Sequence, residues 1–347
     1  MRIVVTGAAG FIGAATAGGL RAHGHDVVGL DAMLDVAHPP GARAPEGVQQ
    51  MDVRDADALR LLLADADVVS HQAAMVGHGV DAADFPGYAT HNDLGTAVLL
   101  AAMAASNVQR LVLASSMVVY GEGCYRCDRH GEVVPAARRA ADLRSGEFDP
   151  PCPECDRALS WCLVPETAAL RPRSSYAASK VAQEHYAQAW AALQDGRCIA
   201  LRYHNVYGPG MPADTPYSGV AAIFRSALRR AEAPRVYEDG GQTRDFVHVD
   251  DVVAANVAAV EDVGDHHVGL TPYNVCSGAP VTVGQMATVI AQACSGPEPV
   301  VTGEYRAADV RHVVASPEAA AKGLGFRARI GPETGLREFA TAPLRGD

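Results

Sequence analysis

No apolar run in the 347 residues reaches the roughly 18 needed to cross a bilayer. The opening Met1-Arg2-Ile3-Val4-Val5-Thr6-Gly7 enters an apolar strand with no charged leader, secretory core or cleavage site. Neither a membrane span nor a secretory signal is expected, and the expected compartment is the cytoplasm. Positive charge is also scarce: 29 Lys and Arg stand against 40 Asp and Glu, a formal net charge of −11. So acidic a chain is a poor general binder of nucleic acid or anionic membrane, both polyanions, though a few local arginines would still hold a small anion. Internal repeats and low-complexity linkers are missing as well. What is there is 48% hydrophobic and 20% charged, a balance that excludes disorder and fibres. The length suggests two lobes, or one large α/β unit with additions.

Arg2 to Thr6 is a β-branched run, Phe11 to His23 is helix-length and rich in alanine and leucine, and His25 to Leu30 reads as a second strand. Further strands are predicted at 66–71, 110–115 and 198–203, separated by helical stretches at 55–63, 91–105 and 175–193. Such alternation predicts a Rossmann-type, doubly wound parallel sheet covered by helices on both faces. Residues 121–173, rich in Cys, Pro, Arg and Glu and without period, read as an insertion. After Tyr203 the pattern loosens, as a smaller substrate-binding lobe would. The expected division is a cofactor domain over 1–204, returning at about 236–265 and containing the insertion, with 205–347 mainly a substrate lobe.

Gly7-Ala8-Ala9-Gly10-Phe11-Ile12-Gly13 lies where the first strand turns into the first helix. Glycines there let backbone approach a pyrophosphate, whose charge sits on the free amides of the helix start around Phe11 and Ile12. The bland reading is an ordinary tight turn in a chain with 34 glycines. Asp31, ending the second strand 18 residues after Gly13, strengthens the dinucleotide reading. Its carboxylate would accept hydrogen bonds from the adenosine ribose and repel a 2′-phosphate, favouring NAD over NADP. Asp52-Val53 closes the next crossover and would line the adenine.

Tyr176 and Lys180 stand four apart in a helical stretch and share one face. An ammonium near a phenol, helped by a cationic nicotinamide, stabilises the phenolate, which can then take the proton from a substrate hydroxyl. A chance pair on a solvated helix is the alternative. Ser115-Ser116 follows an apolar run, where a strand end opens onto the ligand crevice of such sheets. A serine there either hydrogen-bonds the reacting oxygen or caps the strand.

Cys124-Tyr125-Arg126-Cys127 and Cys152-Pro153-Glu154-Cys155 are two C-x-x-C knuckles. They predict a structural zinc site of Cys124, Cys127, Cys152 and Cys155, holding together a segment too polar to build its own core, a zinc-ribbon-like unit. A redox dithiol, a disulfide pair and merely packed cysteines are the competing readings. His130 is close enough to replace or support a ligand, though a solvated loop histidine is the simpler expectation. Cys162, Cys198, Cys276 and Cys294 are expected as isolated packed thiols, and the eight cysteines together not as a disulfide framework.

These residues resemble the extended short-chain dehydrogenase/reductase family, particularly its nucleotide-sugar epimerases. The resemblance rests on Thr6-Gly7-x-x-Gly10-x-x-Gly13, Asp52-Val53, Ser70-His71-Gln72-Ala73-Ala74, Asn92 with Gly95-Thr96, Ser115-Ser116-x-x-Val119-Tyr120-Gly121 and Tyr176-x-x-x-Lys180. It continues through Arg202 to Pro209, Thr243 to Asp251 and Arg306-x-x-Asp309, covering almost the whole chain outside the insertion. It implies Tyr176 as base, Lys180 as its electrostatic partner and ribose contact, and Ser116 as a second hydrogen-bonding group on the sugar oxygen. It also implies Ala73, Ala74 and Asn92 at the cofactor, and Asn205, Arg244 and Arg306 holding the substrate's nucleotide and diphosphate. Guanidinium forks independently suit phosphate oxygens. In related dehydratases and decarboxylases acidic residues follow the catalytic Ser/Thr, whereas Met117 and Val118 stand here and transfer no protons. What remains is an NAD-dependent 4-epimerase of a dTDP- or UDP-hexose, a net 4-ketosugar reductase, or a catalytically silent NAD-responsive scaffold. The run from Gly121 to Asp128 with the later Cys-Pro-Glu-Cys is similar to a subgroup acting on dTDP-L-rhamnose. A homodimer through the helices carrying Asn92 and Tyr176 is implied by analogy alone. His204, where the family often has Phe or Leu, either contacts the sugar or packs.

Overall fold

Strand β1 (Arg2–Thr6) alternates its apolar side chains between two faces, and both faces are covered. The computed structural model describes residues 1–39, 41–77, 79, 81–213, 219–306 and 309–345. Ile3 and Val5 join one core with Leu20, Val252 and Val260, whereas Val4 joins another with Leu59, Leu99, Met103 and Trp190. Two buried faces need helices on both sides, which parallel connections provide. On the first side lie α1 (Phe11–Ala22) and α5 (Val249–Asp262); on the second lie α2 (Ala56–Leu63), α3 (Gly95–Ala105) and α4 (Ser175–Gln194).

The remaining strands of the main sheet are β2 (Asp26–Asp31), β3 (Val48–Gln50), β4 (Val68–His71), β5 (Arg110–Ser116), β6 (Arg197–Tyr203) and β7 (Gly269–Val275). Seven strands run parallel in the order β7-β6-β5-β4-β1-β2-β3. The order reverses between β1 and β4, which opens a crevice at their carboxyl ends. This is the Rossmann-like α/β sheet the alternation predicts. Two of its strands escape that alternation. β3 is three residues long, and β7 lies beyond the stretch expected to return to the sheet.

A third core forms from Tyr207, Phe224, Phe246, Met286, Ile290, Leu336 and Phe339, carried mainly by helices Val220–Arg229, Val283–Ala293 and Pro332–Phe339. A further, small core of Tyr125, Cys127, Cys152 and Leu159 sits in the insertion, beside a three-stranded antiparallel sheet. No helix among the described residues is long and apolar enough to cross a membrane.

Candidate active site

Gly7 turns the chain at φ +66°, and a Cβ there would lie 2.7 Å from the Ala73 nitrogen, so only glycine lets the two loops touch. A Cβ at Gly13 would run into the Gly7 carbonyl. The cradle this leaves is a cleft lined by Gly7, Gly10, Asp31, Asp52, Val53, Ala73 and Ala74. Phe11 and Ile12 open α1 at its mouth, where helix N–H groups have no partner within the helix. Asp31 accepts from the Ala9 and Met33 amides at 3.0 and 2.9 Å and lies 3.3 Å from His38 Nε2, which fixes its carboxylate at the cleft wall. Asp52 is paired with Arg54, whose guanidinium holds the carboxyl below its usual range. These residues fit a dinucleotide: a phosphate cradle at a helix start, then an acid at the next strand's end. Sequence reading missed Arg345, whose guanidinium donates to the Ala9 carbonyl in that cradle.

Asn92 departs from expectation. It is wholly buried in a π-helical segment, with its oxygen accepting from the Met75 amide and its nitrogen donating to the Met75 carbonyl and Ser179. With both ends spent, mostly on the loop after β4, it braces the cleft rather than facing it.

Ser116 ends β5 and Tyr176 and Lys180 lie on α4, and the three converge. Ser174 caps α4 by accepting from the Ala177 amide, which starts the helix where Tyr176 falls on its inward face. Burial pushes the Tyr176 phenol up to about 12, against a smaller lowering by the neighbouring Ser116 hydroxyl. Lys180 Nζ donates to the Ala114 carbonyl at 2.9 Å and lies 6.0 Å from the Tyr176 ring centre. Burial brings its ammonium down to about 7, against the opposing charge of Glu184. The expected lowering of the phenol by the lysine is not what the protein alone shows. Desolvation dominates both groups, and a bound cation would have to supply the difference. Glu184 in turn grips Arg202 through two contacts of 2.9 and 2.7 Å, both side chains buried, pinning α4 against β6.

Tyr176 lines a second cavity of about 560 Å³, together with Met117, Val118, Arg173, Asn205, Phe224, Arg230, Arg235, Arg244 and Arg306. Gly77 lines it too, so the segment 73–77 runs from the dinucleotide cleft to this cavity. Asn205 offers a buried Oδ1 without a hydrogen-bond partner among the described residues. Arg306 lies over the Tyr237 ring at 5.3 Å. Arg244 lines the wall, but three of its donor hydrogens go to the carbonyls of Thr243, Arg311 and Val310. It brings charge and at most two free donors, not the open fork expected. Arg173, Arg230 and Arg235 went unread because none sits in a motif. His204 does not line the cavity. It is buried with neither ring nitrogen bonded among the described residues, and burial lowers it to about 3.

The cysteine cluster is rearranged relative to expectation. Cys124 forms a disulfide with Cys162, so Cys124 is not in the metal set and Cys162 is not an isolated thiol. The cause is strand geometry: Cys124 and Cys127 are three apart on strand Cys124–Cys127, hence on opposite faces, and Cys124 is in register with Cys162 of the neighbouring strand. His130 takes the vacated place. The ligand atoms of Cys127, His130, Cys152 and Cys155 all lie within 4.8 Å of one another. Cys127 Sγ is 3.8 Å from Cys155 Sγ and 3.7 Å from His130 Nδ1, which is 3.4 Å from Cys152 Sγ. A tetrahedron with Zn–S of ~2.3 Å and Zn–N of ~2.05 Å has edges of about 3.8 and 3.5 Å, so the set fits zinc. Backbone amides of Arg129 and His130 bring the Cys127 thiol down to about 6, toward the thiolate a metal requires.

Against known proteins, residues 3–139 and 163–276 match the model of the NAD dependent epimerase/dehydratase family, so the unmatched gap falls on the cysteine lobe. A dTDP-L-rhamnose 4-epimerase of Burkholderia thailandensis is 33% identical, over 98% of this chain and 94% of that protein. The Thermus thermophilus UDP-glucose 4-epimerase in complex with NAD superposes with a TM-score of 0.74 at 30% identity, covering 98% of both chains. The Thermotoga maritima UDP-glucose 4-epimerase with UDP-glucose gives a TM-score of 0.79 at 26% identity, over 98% of this chain and 97% of that one.

Proposed function

The chain belongs to the NAD dependent epimerase/dehydratase family, and on that premise we propose that it is an NAD-dependent 4-epimerase of a dTDP- or UDP-hexose, with dTDP-L-rhamnose the favoured substrate. The observation that carries this is the convergence of Ser116, Tyr176 and Lys180 beside a dinucleotide cleft and an arginine-lined cavity. The B. thailandensis relative supports the choice of nucleotide sugar.

Tyr176 takes the proton of the C4 hydroxyl and later returns it, while Ser116 hydrogen-bonds the same oxygen. NAD, when bound, supplies the two-electron acceptor and donor that this carbon needs. Lys180 supplies charge beside the phenol and would contact the cofactor ribose when NAD is bound. Arg230, Arg235 and Arg306 hold a diphosphate at the far end, with Asn205 toward the sugar, so that the sugar can turn over about its anchored tail. Met117 and Val118 have no proton to transfer, which leaves elimination unsupported.

The cofactor is assigned to residues 1–204 with the helix and strand that return to the sheet, and the substrate mainly to 205–347. Zinc at Cys127, His130, Cys152 and Cys155 would be structural, since four protein ligands close its shell. Assembly as a homodimer through α3 and α4 is supported by exposed apolar side chains there: Leu94 just before α3, and Tyr186 and Leu193 on α4.

The test is to incubate the purified protein with dTDP- and UDP-hexoses without added cofactor and follow C4 inversion by NMR. An epimer is expected, and Tyr176→Phe should lower turnover by at least about 100-fold while NAD stays bound. Reduction of an added 4-ketosugar nucleotide with stoichiometric consumption of added NAD(P)H would instead identify a 4-ketosugar reductase. Clean NAD binding with no conversion would leave only the scaffold reading.

A further inference from the structure

The cysteine lobe does not simply border the cavity; it grips the segment that forms one wall. Residues 309–313 carry Asp309, Val310 and Val313 into that wall, shortly after Arg306. Arg138 of the lobe donates to the Asp309 carbonyl at 2.6 Å, to the Arg306 carbonyl at 3.4 Å and to Glu238 at 2.7 Å. Asp149 accepts from Arg311 Nε at 2.8 Å. It lies 2.9 Å from His312 Nε2, whose Nδ1 accepts from the Thr243 amide, so the Nε2 proton points at Asp149. Arg311 also binds Glu238 and Asp239, each at 2.8 Å. The side chains of Arg138, Glu238 and Arg311 are 3%, 2% and 2% exposed, so the charges are desolvated and each depends on its partners. The carbonyls of Val310 and Arg311, held in this way, are the ones that orient Arg244. Asp149 precedes the ligand Cys152 by three residues, which ties the grip to the metal knuckle.

We propose that Arg138 and Asp149 are positioning residues for the substrate: from the cysteine lobe they lock Arg306, residues 309–313 and Arg244 in the arrangement that binds a nucleoside diphosphate. Neither lines the substrate cavity or the cofactor cleft. The inference rests on the function proposed above, but a probe that does not react separates the two.

The experiment measures binding of dTDP and of UDP to the protein as purified, with kinetics on whichever nucleotide sugar the wild type converts. Asp149→Ala and Arg138→Leu are each expected to weaken diphosphate binding and raise KM by about tenfold, with kcat changed far less and NAD retention unchanged. Asp149→Asn, which keeps an acceptor oxygen but not the charge, should fall between Asp149→Ala and the wild type. Dissociation constants within about twofold of wild type for the soluble variants would overturn the proposal, as would loss of kcat at constant KM. If Asp149→Ala does not fold, Asp149→Asn is judged by the same criteria. A wild type that binds dTDP or UDP but epimerises nothing defeats the functional reading alone; one that binds neither defeats this inference too.

Discussion

At the residue scale the pH response centres on Lys180, brought down to about 7 by burial. Below that pH both folded and unfolded chains carry the ammonium, so the penalty of burying it is felt in full. Between pH 7 and the unfolded value near ~10.4 the folded chain is already neutral, and the penalty is released as pH rises. NAD-free wild type should therefore gain stability relative to Lys180→Met between about pH 7 and 9.5 in urea unfolding; parallel curves would contradict the assignment. Lys180 and Tyr176 were legible in the sequence because four residues on one helix are neighbours whatever the tertiary fold. Asp31 was legible because a strand, a glycine turn and a helix fix its place locally. Asn92 and Arg244 were legible only as motif members. What they do is decided by Met75, Val310 and Arg311, and no spacing shows those partners.

At the element scale the cysteine lobe shows where local spacing fails. The two thiols of a C-x-x-C pair converge on one point when the chain turns, as at Cys152 and Cys155, but not when it is extended, as at Cys124–Cys127. Sequence alone did not reveal which, because the strand at Ser160–Cys162 that pairs with the first knuckle lies far along the chain. The structure makes the distinction measurable. Cys124→Ser should keep one zinc per chain by elemental analysis, whereas Cys127→Ser or His130→Ala should lose it. Loss of zinc from Cys124→Ser with retention in His130→Ala would restore the four-cysteine site. With zinc at the proposed site, chelation should weaken dTDP binding in the same sense as Asp149→Ala, because Cys152 would anchor the segment from which Asp149 reaches.

For the whole molecule, the exposed apolar side chains about α3 and α4 pose the question of assembly. Leu94 is 50% exposed and Tyr186 45%. Leu94→Glu combined with Tyr186→Glu should shift sedimentation from dimer to monomer mass; a wild type already monomeric at micromolar concentration would end the homodimer proposal. The parallel order of the central strands followed from the alternation of strand and helix in the sequence. The edge strands did not: Val48–Gln50 is too short to show a period, and Gly269–Val275 lies behind a long stretch of the second lobe.

The clamp on residues 309–313 joins positions 162 and 171 apart along the chain. Closing such spans costs chain entropy that is recovered only once both ends are already structured. During refolding the clamp should therefore close late, after the cysteine lobe and the cavity wall have each taken shape, so that the two must mature separately before either can discipline the other.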